Sequence, residues 1–207
     1  MAGDYYKAFS IYDAILDAEP ENSDGYMGRG AACLGVGDLD RAIDDFGEAI
    51  KRNPNSFEAY TNRGNVHHRK GNLDEAMLDW TKAIQLNPND ALAFYNRGTV
   101  FKEKGNLDKA LNDYSEAIRI NPNEVKTYNN RGIVYGRLKE WNNAFADWHK
   151  AIQIDPNHLN TYISRANAYR NKGEWGMAIS DYDNSRRRSE DWRALPSRIA
   201  KGRNRAT

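Results

Sequence analysis

Pro20, Pro54, Pro88, Pro122 and Pro156 follow one another at intervals of 34 residues. That spacing is the outer mark of a deeper repeat. Laid over each other, residues 53–86 and 87–120 are identical at 17 of 34 positions, and most of the matches fall on apolar, Gly, Pro, Arg or Asp positions. A fixed period of this length means that one supersecondary unit is used again and again, each copy burying its apolar face on its neighbours. A length of 207 residues would otherwise suggest one or two globular domains. The period replaces that expectation with a single elongated array that has no one central core.

Units counted from residues 23, 57, 91, 125 and 159 stay in phase. The fourth position is aromatic (Tyr26, Tyr60, Phe94, Tyr128, Tyr162) and the eighth is small (Gly30, Gly64, Gly98, Gly132, Ala166). The twentieth is always alanine (Ala42, Ala76, Ala110, Ala144, Ala178), and the twenty-fourth is aromatic (Phe46, Trp80, Tyr114, Trp148, Tyr182). Within one unit Tyr60, Gly64 and His67 fall on one face of a helix, and Leu73, Ala76, Met77, Trp80, Ala83 and Ile84 on one face of a second. Gly71 is placed to close the first helix with its free φ, Asn72 to cap the second, and Pro88 to stop it. Glycine and alanine at the eighth and twentieth positions let two backbones approach closely beneath the aromatic rings. Each unit therefore predicts an αα-hairpin.

This run of aromatic, Gly, Ala, aromatic and Pro at a period of 34 resembles the tetratricopeptide repeat over residues 3–188. The resemblance implies an all-α fold, a right-handed α-solenoid of tandem helix-turn-helix repeats, with first helices lining a concave groove and second helices outside. The expected division is 1–22 as the second helix of an incomplete repeat, five repeats over 23–56, 57–90, 91–124, 125–158 and 159–188, and a basic tail over 189–207. With its first helix missing from the sequence, the opening segment is expected to leave Phe9, Tyr12 and Leu16 short of one layer of cover. Either the chain is cut from a longer array or another protein covers that end. In the tail Trp192, Leu195 and Ile199 are spaced for a short capping helix, with Pro196 awkwardly inside it.

Composition narrows the function classes. No apolar run approaches the ~18–20 residues that span a bilayer, and the first residues lack the basic start and apolar stretch of a secretory signal. One cysteine, Cys33, allows no internal disulfide and fits a reducing compartment, so a cytoplasmic location is expected. Residues 186–207 carry a net +6, leaving −5 for the rest of a chain whose total is +1. The two basic clusters of that tail loosely match a nuclear signal, and their chemistry also suits nucleic acid or an anionic surface, beside the plain reading of a solvated end. His67 and His68 are adjacent and point about 100° apart on a helix, so they cannot share a metal. Nothing in the sequence has metal-ligand spacing, a phosphate loop or an ordered nucleophile–base pair; the expectation is a non-enzyme with no cofactor and no small-molecule substrate.

Two recurrent sets remain. Arg29, Arg63, Arg97, Arg131 and Arg165 stand sixteen residues before Asp45, Asp79, Asp113, Asp147 and Asp181. Across the hairpin turn these fall at one height, which predicts a guanidinium–carboxylate fork that fixes helix register. Asn62, Asn96 and Asn130 share the sixth position of three successive units. A carboxamide offers both donor and acceptor to a peptide bond, so such a row can hold an extended chain by its backbone. The row resembles the asparagine ladder in the repeats of O-GlcNAc transferases. Asn65, Tyr95, Lys102, Lys126, Arg137 and Arg170 belong to the expected groove with Arg69, Ile133 and Ile163, against Asp24, Glu58 and Glu103, and its positive balance favours an extended or partly acidic segment of a protein partner. Thr61, Asn65, Asn96, Lys126 and Asn130 also match the positions of the two-carboxylate clamp of Hsp70/Hsp90 co-chaperones. Thr61 and Asn130 stand there in place of cations, which weakens that reading. The expected function is an interaction scaffold that binds peptide in the groove. The alternatives are a structural subunit bound through its first helix and outer face, a co-chaperone, and the repeat segment of a larger enzyme.

Overall fold

A computed structural model describes residues 2–188 and gives them ten named helices: α1 (Ala2–Ala18), α2 (Ser23–Val36), α3 (Leu39–Arg52), α4 (Phe57–Lys70), α5 (Leu73–Leu86), α6 (Ala91–Glu103), α7 (Leu107–Ile120), α8 (Val125–Arg137), α9 (Trp141–Ile154) and α10 (Leu159–Asn171). A further helix, α11, covers 175–188. The chain divides into two compact units, one ending at Ile120 and one beginning at Asn121. In the first, α2 pairs with α3, α4 with α5 and α6 with α7, while α1 packs on α2. In the second, α8 pairs with α9, and α10 rests on both. The expected capping helix at Trp192, Leu195 and Ile199 lies outside the described residues.

The helix ends follow local chemistry. Asn22, Ser56 and Asp90 each accept a backbone N–H in the first turn of α2, α4 and α6. Gly71 closes α4 at φ +83°, its N–H reaching the carbonyls of His67 and His68. Asn72 sits at the start of α5 as expected, but its side chain makes no capping bond. Where the other turns carry glycine, the turn after α8 holds Lys139 at φ 62°, a left-handed conformation that glycine adopts without strain.

Small residues and rings alternate through the core. Ala76, Trp80, Ala83, Ala93 and Val100 form one buried cluster, and Ala144, Trp148 and Ala168 another. A Cβ on Gly64 would stand 2.8 Å from Trp80 Nε1, and one on Gly132 would stand 2.7 Å from Trp148 Nε1, so each ring lies directly on a glycine backbone. The opening helix is better covered than its sequence predicts. Leu16 is buried, and Tyr12 rests where a Cβ on Gly28 would lie 2.2 Å from its ring. Phe9 is half-buried, packed against the Cys33–Phe46 cluster under the Arg29 and Arg41 guanidinium groups. The face left open is the other one, with Tyr6 and Ile11 about 60% exposed. Burial also pushes the Cys33 thiol up, which makes it a poor nucleophile at neutral pH.

All five arginine–aspartate pairs form. Arg63 donates from Nε and Nη2 to the two oxygens of Asp79 at 2.9 and 2.7 Å, and Arg97, Arg131 and Arg165 repeat the fork at 2.7–2.8 Å. The aspartates are buried, so each guanidinium is held above its ordinary value by its carboxylate at Arg29 and Arg63. Arg29 and Arg97 are seen to reach further than the hairpin: Arg29 Nη1 donates to Asp13 of α1 at 2.7 Å, and Arg97 Nη1 to Thr81 of α5 at 3.1 Å. The same group thus locks one hairpin and ties it to the preceding helix.

His67 fills a packing position equivalent to Phe101 in the next unit, and its Nδ1 is buried without a hydrogen-bond partner among the described residues. Burial holds the ring below its ordinary pKa of 6.5, as it does for His149 and His158. A depressed folded-state pKa means that the unfolded chain binds the extra proton first. The contribution to stability is therefore complete above about pH 6.5 and is lost as pH falls through the lower folded-state value. His67→Phe is expected to raise stability by about 1 kcal/mol at pH 7 and to flatten the decline below pH 6.5. Urea midpoints measured from pH 5 to 8 check both.

Candidate interaction surface

Helix α4 touches both α2 and α6, whereas α3, α5 and α7 do not touch one another. First helices are thus closer together than second helices, which makes their face the inner one of the first unit. In the second unit α8 likewise touches α10. The residues expected to read a ligand fall mainly on these helices. Asn62 (α4), Asn96 and Tyr95 (α6) and Asn130 (α8) are half-buried, as is Lys102; Lys126, Arg137 and Arg170 are exposed.

Some of these side chains are committed to the fold. Asn65 Oδ1 accepts from Trp80 Nε1 at 3.1 Å and from Asn96 Nδ2 at 2.7 Å. Asn65 therefore serves its neighbour helices, and its carbonyl is already used twice. Asn96 keeps its own carbonyl and one N–H. Asn62 makes no hydrogen bond inside the described residues and keeps both functions of its carboxamide. Tyr95 rests its ring 6.1 Å from Tyr114, and His68 lies 5.8 Å from Trp80. Thr61, one of the five clamp positions, is buried and donates to Asp90 Oδ2 at 2.5 Å. It braces the carboxylate that caps α6, so that clamp position is closed to a ligand.

The second unit holds a further feature. A cleft of about 300 Å³ opens beside α8 and α10, walled by Ile133, Trp141, Trp148 and Ala168, with Arg137, Ser164, Asn167 and Asn171 around it. Arg137 and Ile133, both expected on the groove face, border it. The signal was present in the sequence: Ile133 is an apolar residue at a register that holds asparagine or threonine in three other units, where it faces Trp148.

Sequence profiles described as tetratricopeptide repeat or TPR repeat match residues 30–71 and 98–139, 57–90 and 125–158, and 80–112. Their matches run without a gap from 30 to 158, well over half of the chain. The chain is a tetratricopeptide-repeat protein. Among solved structures, MamA is similar at 25% identity and a TM-score of 0.72, over 78% of this chain and 95% of that one. YrrB, described as a tetratricopeptide-repeat protein with an unusual peptide-binding site, aligns at 21% identity and a TM-score of 0.73, over 91% and 97% of the two chains. PilF of Pseudomonas aeruginosa aligns at 20% and 0.72, over 80% and 75%. A search of curated proteins found no match. Fold, repeat family and neighbours together make this tetratricopeptide-repeat protein a protein-interaction scaffold built of stacked helix-turn-helix units. None of its helices among the described residues is long and apolar enough to cross a membrane.

Proposed function

We propose that this protein holds an extended segment of a protein partner against the face made by its first helices, and that Asn62, Asn96 and Asn130 grip the segment by its backbone. The observation that carries the reading is the unused bonding capacity of Asn62 and Asn96. The fork of Arg63 and Asp79 and the packing of Trp80 account for the other recurring polar groups, but no hydrogen bond among the described residues uses Asn62, and only one N–H of Asn96 is used. Each net hydrogen bond contributes about 0.5–1.5 kcal/mol, so three carboxamides give weak, sequence-tolerant binding that side-chain contacts must extend. Lys102, Lys126, Arg137 and Arg170 supply a positive field that favours an acidic segment.

The test is a comparison of captured partners. The triple variant N62A/N96A/N130A is expected to lose the partners that the wild type retains, by at least about tenfold for a loss of roughly 1.4 kcal/mol. Far-ultraviolet circular dichroism should stay helical, because Asn65 still accepts from Trp80 in the variant. An unchanged partner set in a folded triple variant would sink the row.

A further inference from the structure

In three of the five units the twenty-fourth residue donates to the ninth. Trp80 Nε1 donates to Asn65, Tyr114 hydroxyl to Thr99 at 3.1 Å, and Tyr182 hydroxyl to Asn167 at 2.7 Å. Where the twenty-fourth residue has no donor, as at Phe46, the ninth is Ala31 and nothing is left over. Trp148 breaks the pattern. Its partner position is Ile133, its ring is 2% exposed, and its Nε1 has no acceptor among the described residues. A buried donor without an acceptor opposes folding, since unfolding returns it to water. Asparagine at 133 would satisfy it, as Asn65 satisfies Trp80, so the departure calls for a compensating role.

The position of the ring supplies one. Trp148 and Ile133 both wall the cleft beside α8 and α10, whose volume is about 300 Å³. Ile133 is half-buried and packs against the Ala144–Trp148–Ala168 cluster. Nε1 is buried in this arrangement against the Gly132 backbone. The volume lies at the small end of ligand pockets, the size of one apolar side chain with its peptide group. The polar edge is built to meet a peptide: Asn167 Oδ1 is taken by Tyr182, which leaves its N–H groups toward a ligand, and Ser164 donates to Asn160, which leaves its oxygen as an acceptor.

We infer that this cleft is a residue-sized subsite in which an apolar side chain packs on Trp141 and Ala168 while its main-chain carbonyl accepts from Trp148 Nε1, the Ile133 side chain turning aside to admit it. The inference rests on peptide binding as the function of the molecule, but on none of the three asparagines. The partner is thereby required to place an apolar residue here, a selectivity that a backbone-gripping row cannot supply.

The five tryptophans give five indole N–H signals in a ¹H–¹⁵N spectrum of the full chain, and W148F identifies one of them. If W148F fails to fold, I133N makes the same assignment. N-acetyl-leucinamide at millimolar concentration is expected to move that signal downfield, while 3-methylbutylamine, which has the branched chain and no carbonyl, does not. I133N should show the signal already downfield without ligand and bind N-acetyl-leucinamide about tenfold more weakly. I133A uncovers the donor and should bind more tightly. Weaker binding by I133A would mean simple apolar contact and overturn the inference, as would a wild-type signal that does not move or a response to N-acetyl-leucine alone. The N62A/N96A/N130A variant should respond like wild type. A silent Trp148 signal with partner loss in that variant removes the cleft alone; a responsive signal with partners retained removes the row alone.

Discussion

Replacing Arg63 with methionine is expected to lower the stability of the first unit by about 3–5 kcal/mol, because it strands a buried carboxylate. Asp79 is 6% exposed, and both of its oxygens accept from Arg63 at 2.7–2.9 Å. Little water reaches Asp79 to take over that role. The fork itself contributes less than its removal costs, since forming it already required desolvating both groups. The double variant R63M/D79L should therefore recover most of the loss, as apolar residues of similar volume replace a buried pair at little net cost. Urea unfolding followed by circular dichroism measures the cycle. A single-variant loss below about 1 kcal/mol would place the pair with solvent-screened surface bridges instead.

The second large effect is expected at Trp80. Trp80→Ala should cost about 3–5 kcal/mol, the range for deleting a buried aromatic side chain. The ring is 1% exposed and packs among Ala76, Ala83, Ala93 and Val100, so its loss opens a void shared by α5 and α6. Alanine and valine neighbours are too short to fill it. Trp80→Phe keeps much of that contact while removing the indole N–H and the smaller of the two fused rings. Asn65 retains its bond from Asn96, so this variant is expected to lose about 1–2 kcal/mol. Equal losses in the two variants, read from the same unfolding curves, would show that the hydrogen bond rather than ring packing dominates. In an array, a defect at one interface also loosens its neighbour, so amide exchange should rise in α5 and α6 together.

Both predictions use residues whose roles were legible before any coordinates. A 34-residue period locks each hairpin to the next copy, and the arginine–aspartate spacing of sixteen sets both groups at one height across a short turn. Periodicity, capping residues and glycine at φ > 0 are local properties, so α2 through α10 and all five forks could be expected from the chain alone. The face of the candidate site was legible in the same way, since register places Asn62, Asn96 and Asn130 on first helices.

What the sequence could not decide lies between units. Asn96 meets Asn65 across 31 positions, Thr61 meets Asp90 across 29, and Arg29 reaches back to Asp13. Such contacts depend on how one hairpin is laid on another, a matter of side-chain size and crossing geometry that no periodic pattern encodes. They tied Asn65 and Thr61 to the adjoining repeat, and they covered Leu16 where an open end was expected. The same packing set Ile133 against Trp148, leaving a buried donor at the edge of a cleft. By itself, then, the sequence determined the hairpin, its ion pair and the helices that carry the row, because those rest on neighbours within one repeat. Only the tertiary structure decided which polar groups stay free to meet a partner, because that depends on what the adjoining repeat has already used.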